Sequence, residues 1–84
     1  MKNFRVEWQP DAQDDLADIW LRAANRQEIT LASRLIDAKL ADKPAAWGKE
    51  LSEGLYRLTV SPVRVIYSID ASRHLVEVYR AFHA

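Results

Sequence analysis

The chain has 84 residues, 12 basic and 12 acidic, so its formal net charge is zero; that length suits one small domain, 1–84, and the neutral balance lacks the basic excess usual in a nucleic-acid binder. With no cysteine, a disulfide scaffold and a thiolate metal site are excluded; only two histidines argue against a structural zinc centre, and no cofactor is expected. No apolar run approaches the roughly 20 residues that cross a bilayer and no signal-peptide core opens the chain, so the expectation is a cytoplasmic protein with no membrane partner.

Residues 4–8, Phe-Arg-Val-Glu-Trp, alternate apolar and charged, the period of a strand with Phe4, Val6 and Trp8 on its buried side. Pro10 suits the first turn of a helix, and Asp11, Asp14 and Asp15 follow where the helix dipole favours acids. Ala12, Leu16, Ile19, Trp20 and Ala23 then form one apolar stripe. Asn25-Arg26-Gln27-Glu28 reads as a capping box opening a second helix, with Ile29, Ala32, Leu35, Ile36 and Leu40 as its stripe and Pro44 as its stop. A link of one or two residues makes the pair a tight hairpin. Residues 43–53 read as a connection pinned to the core by Trp47 and Leu51. Three strand-like runs follow, 54–60, 63–69 and 75–82, separated by the turn chemistry of Ser61-Pro62 and Asp70-Ala71-Ser72-Arg73; such short turns make antiparallel neighbours. The order β-α-α-β-β-β gives an α+β two-layer domain, a helical hairpin packed on one face of a four-stranded, mainly antiparallel sheet.

The hairpin covers one face, so strand parity decides what stands on the other. With Tyr56, Leu58 and Val60, then Val63, Val65, Tyr67 and Ile69, then Val76 and Val78 turned inward, alternation gathers Arg57, Arg64, Glu77, Tyr79 and His83 on the open face. Arg80 falls on the other parity, near enough to the strand end to reach the rim. Two guanidiniums held on rigid strands can clamp phosphate oxygens, and a nearby Tyr or His can stack on a base or move a proton. The bland alternative is that Arg57 and Arg64 pair with Glu77 across strands, a contact of roughly 0.2–1 kcal/mol. His74, beside a turn, reads as solvated, and Trp8, Trp20 and Trp47 read as core. Asp11, Asp14, Asp15 and Asp18 read as a solvated helix start and not as a cation site. A Gly-rich phosphate loop, CxxC, HExxH, GxSxG and an EF-hand loop are all missing from the sequence.

Val6-Glu7-Trp8 followed by Pro10-x-Ala12-x-x-Asp15-Leu16-x-x-Ile19-Trp20 resembles the opening of the RelE/ParE superfamily of bacterial type II toxins. So do Gly54-Leu55-Tyr56-Arg57-Leu58, Val63-Arg64-Val65-Ile66-Tyr67-Ser68-Ile69-Asp70 and Val76-Glu77-Val78-Tyr79-Arg80-Ala81-Phe82-His83. The resemblance implies the fold just read and a toxin whose partner is a cognate antitoxin, as a toxin homodimer or a heterotetramer with the antitoxin. RelE-like members cleave mRNA on the ribosome; ParE-like members poison DNA gyrase and are not nucleases. If this chain is of the first kind it is an endoribonuclease acting on ribosome-bound mRNA. Its site residues would then be Arg57 and Arg64 on phosphate, His83 or Tyr79 in proton transfer or stacking, and Arg80 assisting. Thr59 stands where nucleolytic members often carry a second basic residue. Phe82 and Ala84 replace the Gly and Arg that commonly flank the position of His83. A weakened toxin that only binds its antitoxin is the third reading the pattern allows.

Overall fold

The computed structural model describes residues 3–84. Alternation at the N-terminus becomes β1 (Arg5–Trp8), and Pro10 opens α1 (Pro10–Arg22). Gln9 makes no side-chain cap; Pro10, with no N–H, removes one of the unpaired donors of the first turn. Three residues, not one or two, link it to α2 (Arg26–Asp42). Asn25 caps α2 as expected, its side-chain oxygen accepting from the Glu28 N–H at 3.3 Å. Arg26 closes the preceding helix, donating to the Trp20 and Leu21 carbonyls at 3.2 Å while its guanidinium stacks 4.8 Å from the Trp20 ring centre.

The segment read as a plain connection holds two elements, α3 (Pro44–Trp47) and β2 (Lys49–Ser52). After β3 (Leu55–Val60) and β4 (Val63–Asp70), a 3-10 turn over Ala71–Arg73 leads into β5 (Leu75–His83). The sheet therefore has five strands instead of four, in the order β1-β5-β4-β3-β2, with β1 parallel to β5 and every other pair antiparallel. All four β2 residues are exposed. An edge strand held by backbone pairing alone carries no alternating apolar signature.

Trp47 and Leu51 do not pin this segment; they are 49% and 45% exposed. Lys39 Nζ instead sits 3.7 Å over the Trp47 ring. The anchor is buried Pro44, whose carbonyl accepts from the Tyr67 hydroxyl at 2.6 Å. Gly48 lies so close under that phenol that any Cβ would collide with the hydroxyl.

The core lies between hairpin and sheet: Ala12 and Ile19 from α1, Ile29, Ala32, Ile36 and Leu40 from α2, and Leu58, Val63, Val65, Tyr67, Val76, Val78 and Ala81 from the strands. Leu35, expected in the α2 stripe, is 51% exposed. Trp8 packs against this core as expected, whereas Trp20 is 39% exposed. The Trp8 and Trp20 indole N–H groups reach Asp37 Oδ1 at 2.7 Å and Thr30 Oγ1 at 3.2 Å. An indole N–H wants a partner, and that favours a half-buried position over a dry one.

Candidate functional site

Register defines the open face. Cross-strand partners share a side of the sheet, so three rows cross β3, β4 and β5: Leu55–Ser68–Glu77, Arg57–Ile66–Arg80 and Thr59–Arg64–Phe82. Lys49 of β2 extends the middle row beyond Arg57. Arg57 and Arg64 stand on this face as expected. Neither makes an ion pair among the described residues; Arg64 Nε donates only to Thr59 Oγ1, at 3.2 Å. Glu77 does not neutralise them. It sits opposite Ser68, one row removed from Arg57, and receives the Gln9 side-chain amide at 3.4 Å.

The register slips between Ile66 and Tyr67: Tyr67 faces Val78, Ile66 faces Arg80, and Tyr79 is the extra residue of a bulge in β5. A bulge places two residues against one and reverses the alternation beyond it. Tyr79 stays on the open face, its hydroxyl 3.0 Å from Ser68 Oγ. Two placements read from strict alternation change. Arg80 joins the open-face row of Arg57 and Ile66. His83 leaves that face: it pairs with the buried Val63 and lines a cleft with Asp18, Ile19 and Arg22 on the helix side.

Arg80 is not free, however. Asp15 of α1 takes its Nε at 2.7 Å and its Nη2 at 3.0 Å, and the same carboxylate accepts the backbone N–H of Ala81 at 3.0 Å. The Arg80 hydrogen bonds, more than the Ala81 amide, hold the Asp15 carboxyl below its ordinary range, and Asp15 in turn raises the Arg80 guanidinium. Of the five site residues read from the sequence, the structure thus brings Arg57, Arg64 and Tyr79 to one surface, ties Arg80 to its rim and sends His83 behind the sheet.

A family model described as the ParE toxin of the type II toxin–antitoxin system parDE matches residues 6–84. The chain belongs to that family. Among curated protein sequences none matches it. In solved structures the toxin's fold recurs in the RelBE2 toxin–antitoxin complex of Mycobacterium tuberculosis, with TM-score 0.83 and 21% identity over 100% of this chain and 94% of that one. It recurs in the chromosomal ParDE system of P. aeruginosa, at 0.70 and 14% over 96% of each chain. The intact E. coli RelBE complex gives 0.60 and 14%, again over 96% of each. The chain is a type II toxin of the RelE/ParE type.

In the sequence Asp15 reads with Asp11, Asp14 and Asp18 as part of a solvated helix start, yet its side chain is 19% exposed. The signal available was its position, one turn after Pro10 beside Ala12 and Ile19, the two α1 residues that are buried. Behind the sheet, burial pushes the Tyr67 phenol up to about 12, so it keeps its proton and serves packing. His74 is no solvated bystander: half-buried, it meets Phe4 edge-on with ring centres 5.1 Å apart. Among the described residues no three His, Asp or Glu side chains gather as metal ligands, and no helix is long and apolar enough to cross a membrane.

Proposed function

We propose that this toxin works through the open face of its sheet on RNA, in the RelE manner, cutting mRNA held on the ribosome. The observation that carries this reading is the pair Arg57 and Arg64, on adjacent strands of a rigid sheet without a carboxylate partner among the described residues. In such a cleavage a 2′-hydroxyl, its proton passing to solvent water, attacks the adjacent phosphorus; a 2′,3′-cyclic phosphate forms and the bond to the 5′-oxygen breaks. The two guanidiniums stabilise the charge that builds on the crowded phosphate. Tyr79 stacks on a base or hands its proton to the departing oxygen. His83, on the far side, takes no part. The partner is a cognate antitoxin, and the apolar groove between α1 and α2, lined by Trp8, Leu16, Trp20 and Ile29, offers it surface to cover.

Programmed ribosomes incubated with the toxin are expected to yield new mRNA ends by primer extension, and Arg57→Ala and Arg64→Ala each to lower the cleavage rate about 100–1,000-fold while remaining folded. A second reading has its own support. The family model is that of ParE, and with Arg80 held by Asp15 and His83 displaced, the face lacks an assembled acid–base pair. A toxin of that kind binds DNA gyrase and cuts no RNA. Cleaved supercoiled DNA accumulating with purified gyrase, with mRNA left intact, establishes this second reading and removes the first.

A further inference from the structure

β1 ends at Trp8, opposite Val78, so β5 runs on from Tyr79 with no neighbouring strand on that edge among the described residues. The Ala81 N–H that a longer β1 would have satisfied points at α1 instead, and Asp15 receives it. Fixed by that amide through Oδ2, the carboxylate stands in line with the side chain one residue back, and Arg80 closes on it bidentately, Nε sharing Oδ2 with the amide and Nη2 taking Oδ1. The bulge at Tyr79 makes this necessary. Without the slip, Arg80 would lie on the other parity; with it, Arg80 stands in the row of Arg57 and Ile66 and must bend over the sheet edge to reach Asp15. Three arginines thus belong to adjoining rows of one face. Arg57 and Arg80 are two strands apart, about 10 Å across Ile66 at ordinary strand spacing. Among the described residues, Arg57 and Arg64 make no ion pair.

We infer that Asp15 is a latch on Arg80, which holds the third guanidinium of the open face at the sheet rim and yields it to the phosphates of a bound single-stranded RNA. This rests on the reading that the open face binds RNA. The latch is strong enough to set the resting position, since bidentate charge-assisted bonds are the firmest of their kind. It is also open to competition. Arg80 is 53% exposed, so a phosphate can approach it from solvent, and ion pairs at an exposed rim contribute little net energy. Exchange of one anion for another at Arg80 leaves the Ala81 amide on Asp15, so the fold does not have to open. Asp15 therefore acts as a positioning residue and touches no substrate.

The test uses the full chain and a fluorescein-labelled oligouridine as probe. Asp15→Asn keeps an oxygen for the Ala81 N–H but loses the charge and one acceptor for Arg80. It is expected to bind the probe roughly fivefold more tightly, because Arg80 no longer has to leave a carboxylate to reach phosphate, with the slope of log K against log salt unchanged. Adding Arg80→Ala to that variant should cancel the gain and flatten the slope by about 0.7, the increment for one neutralised phosphate on a single strand. Asp18→Asn removes an equal charge from the same helix, away from Arg80, and should raise the affinity far less. An affinity in Asp15→Asn no higher than in Asp18→Asn, or a gain that survives Arg80→Ala, overturns the latch. Should Asp15→Asn fail to fold, the arginine Nε–H resonances of the unmodified toxin decide. On addition of the probe, Arg80 should shift together with Arg57 and Arg64. Shifts at Arg57 and Arg64 alone sink the latch and spare the RNA reading; no shift at any of the three sinks both.

Discussion

Gly48, Tyr67 and Pro44 show how much one buried hydroxyl organises. The Tyr67 phenol crosses the core to the Pro44 carbonyl, and Gly48 leaves the room it needs. Tyr67→Phe should cost about 1–2 kcal/mol in urea unfolding, since a buried carbonyl then loses its donor. Gly48→Ala should cost about 1–3 kcal/mol by overpacking. The two share one atom, so the double variant should be more stable than the two separate losses imply, because without the hydroxyl the new methyl has somewhere to go. Strict additivity would show that Gly48 is required for another reason. Burial of Tyr67 also has a pH sign. Its folded pKa is raised to about 12, above an unfolded value near 10, so its contribution is complete below pH about 10 and is lost as pH rises towards 12. Asp15 has the opposite sense. Its folded pKa is lowered, so its contribution is present above pH about 4 and is lost as pH falls through the folded value. Asp15→Asn should remove part of the acid limb and Tyr67→Phe part of the alkaline limb, each read from unfolding midpoints against pH.

The elements differ in how legible they were, and the reason is where their energy comes from. Helix α2 announces itself because its cap and its buried residues Ile29, Ala32, Ile36 and Leu40 lie in sequence. Asn25→Ala should cost about 1 kcal/mol and speed amide exchange in the first turn of α2, while Ile36→Ala should cost about 2–5 kcal/mol. Exchange in the first turn that is unaltered by Asn25→Ala would show that packing alone holds that end. Strands β3 and β4 were equally plain, because the buried positions Leu58, Val63, Val65 and Tyr67 keep period two. Strand β2 was invisible, since all four of its residues are exposed and only backbone bonds to β3 define it. The bulge in β5 was invisible for a related reason. Tyr79 is as acceptable to an open face as Arg80, and no Gly or Pro marks the slip. That one residue moved His83 off the site and Arg80 onto it, so Arg57, Arg64 and Tyr79 could be placed from parity while the two residues beyond the bulge could not.

At the scale of the molecule the zero net charge is a sum over two unlike surfaces. Residues 1–53 carry an excess of two acids and residues 54–84 an excess of two bases. Asp11, Asp14, Asp18, Asp37 and Asp42 are exposed on the helices, whereas Arg57 and Arg64 face away from them on the sheet. Long-range attraction to a polyanion then nearly cancels, and what remains is the local count of guanidiniums that reach phosphate. For the unmodified toxin on a single-stranded RNA that count is three once Arg80 exchanges Asp15 for phosphate, which sets the slope of log K against log salt near −2.1. Arg64→Ala should lower it by about a third, and Arg73→Ala, whose guanidinium lies 3.7 Å from Asp70 beside the β4–β5 turn, should leave it alone. A slope near −1.4 would mean that Arg80 stays on Asp15. A slope several-fold steeper would mean that the helices or the β2 edge supply phosphate contacts, and the assignment of the open face would fall. A slope near −2.1 that Arg64→Ala does not change would place the phosphate contacts on other residues.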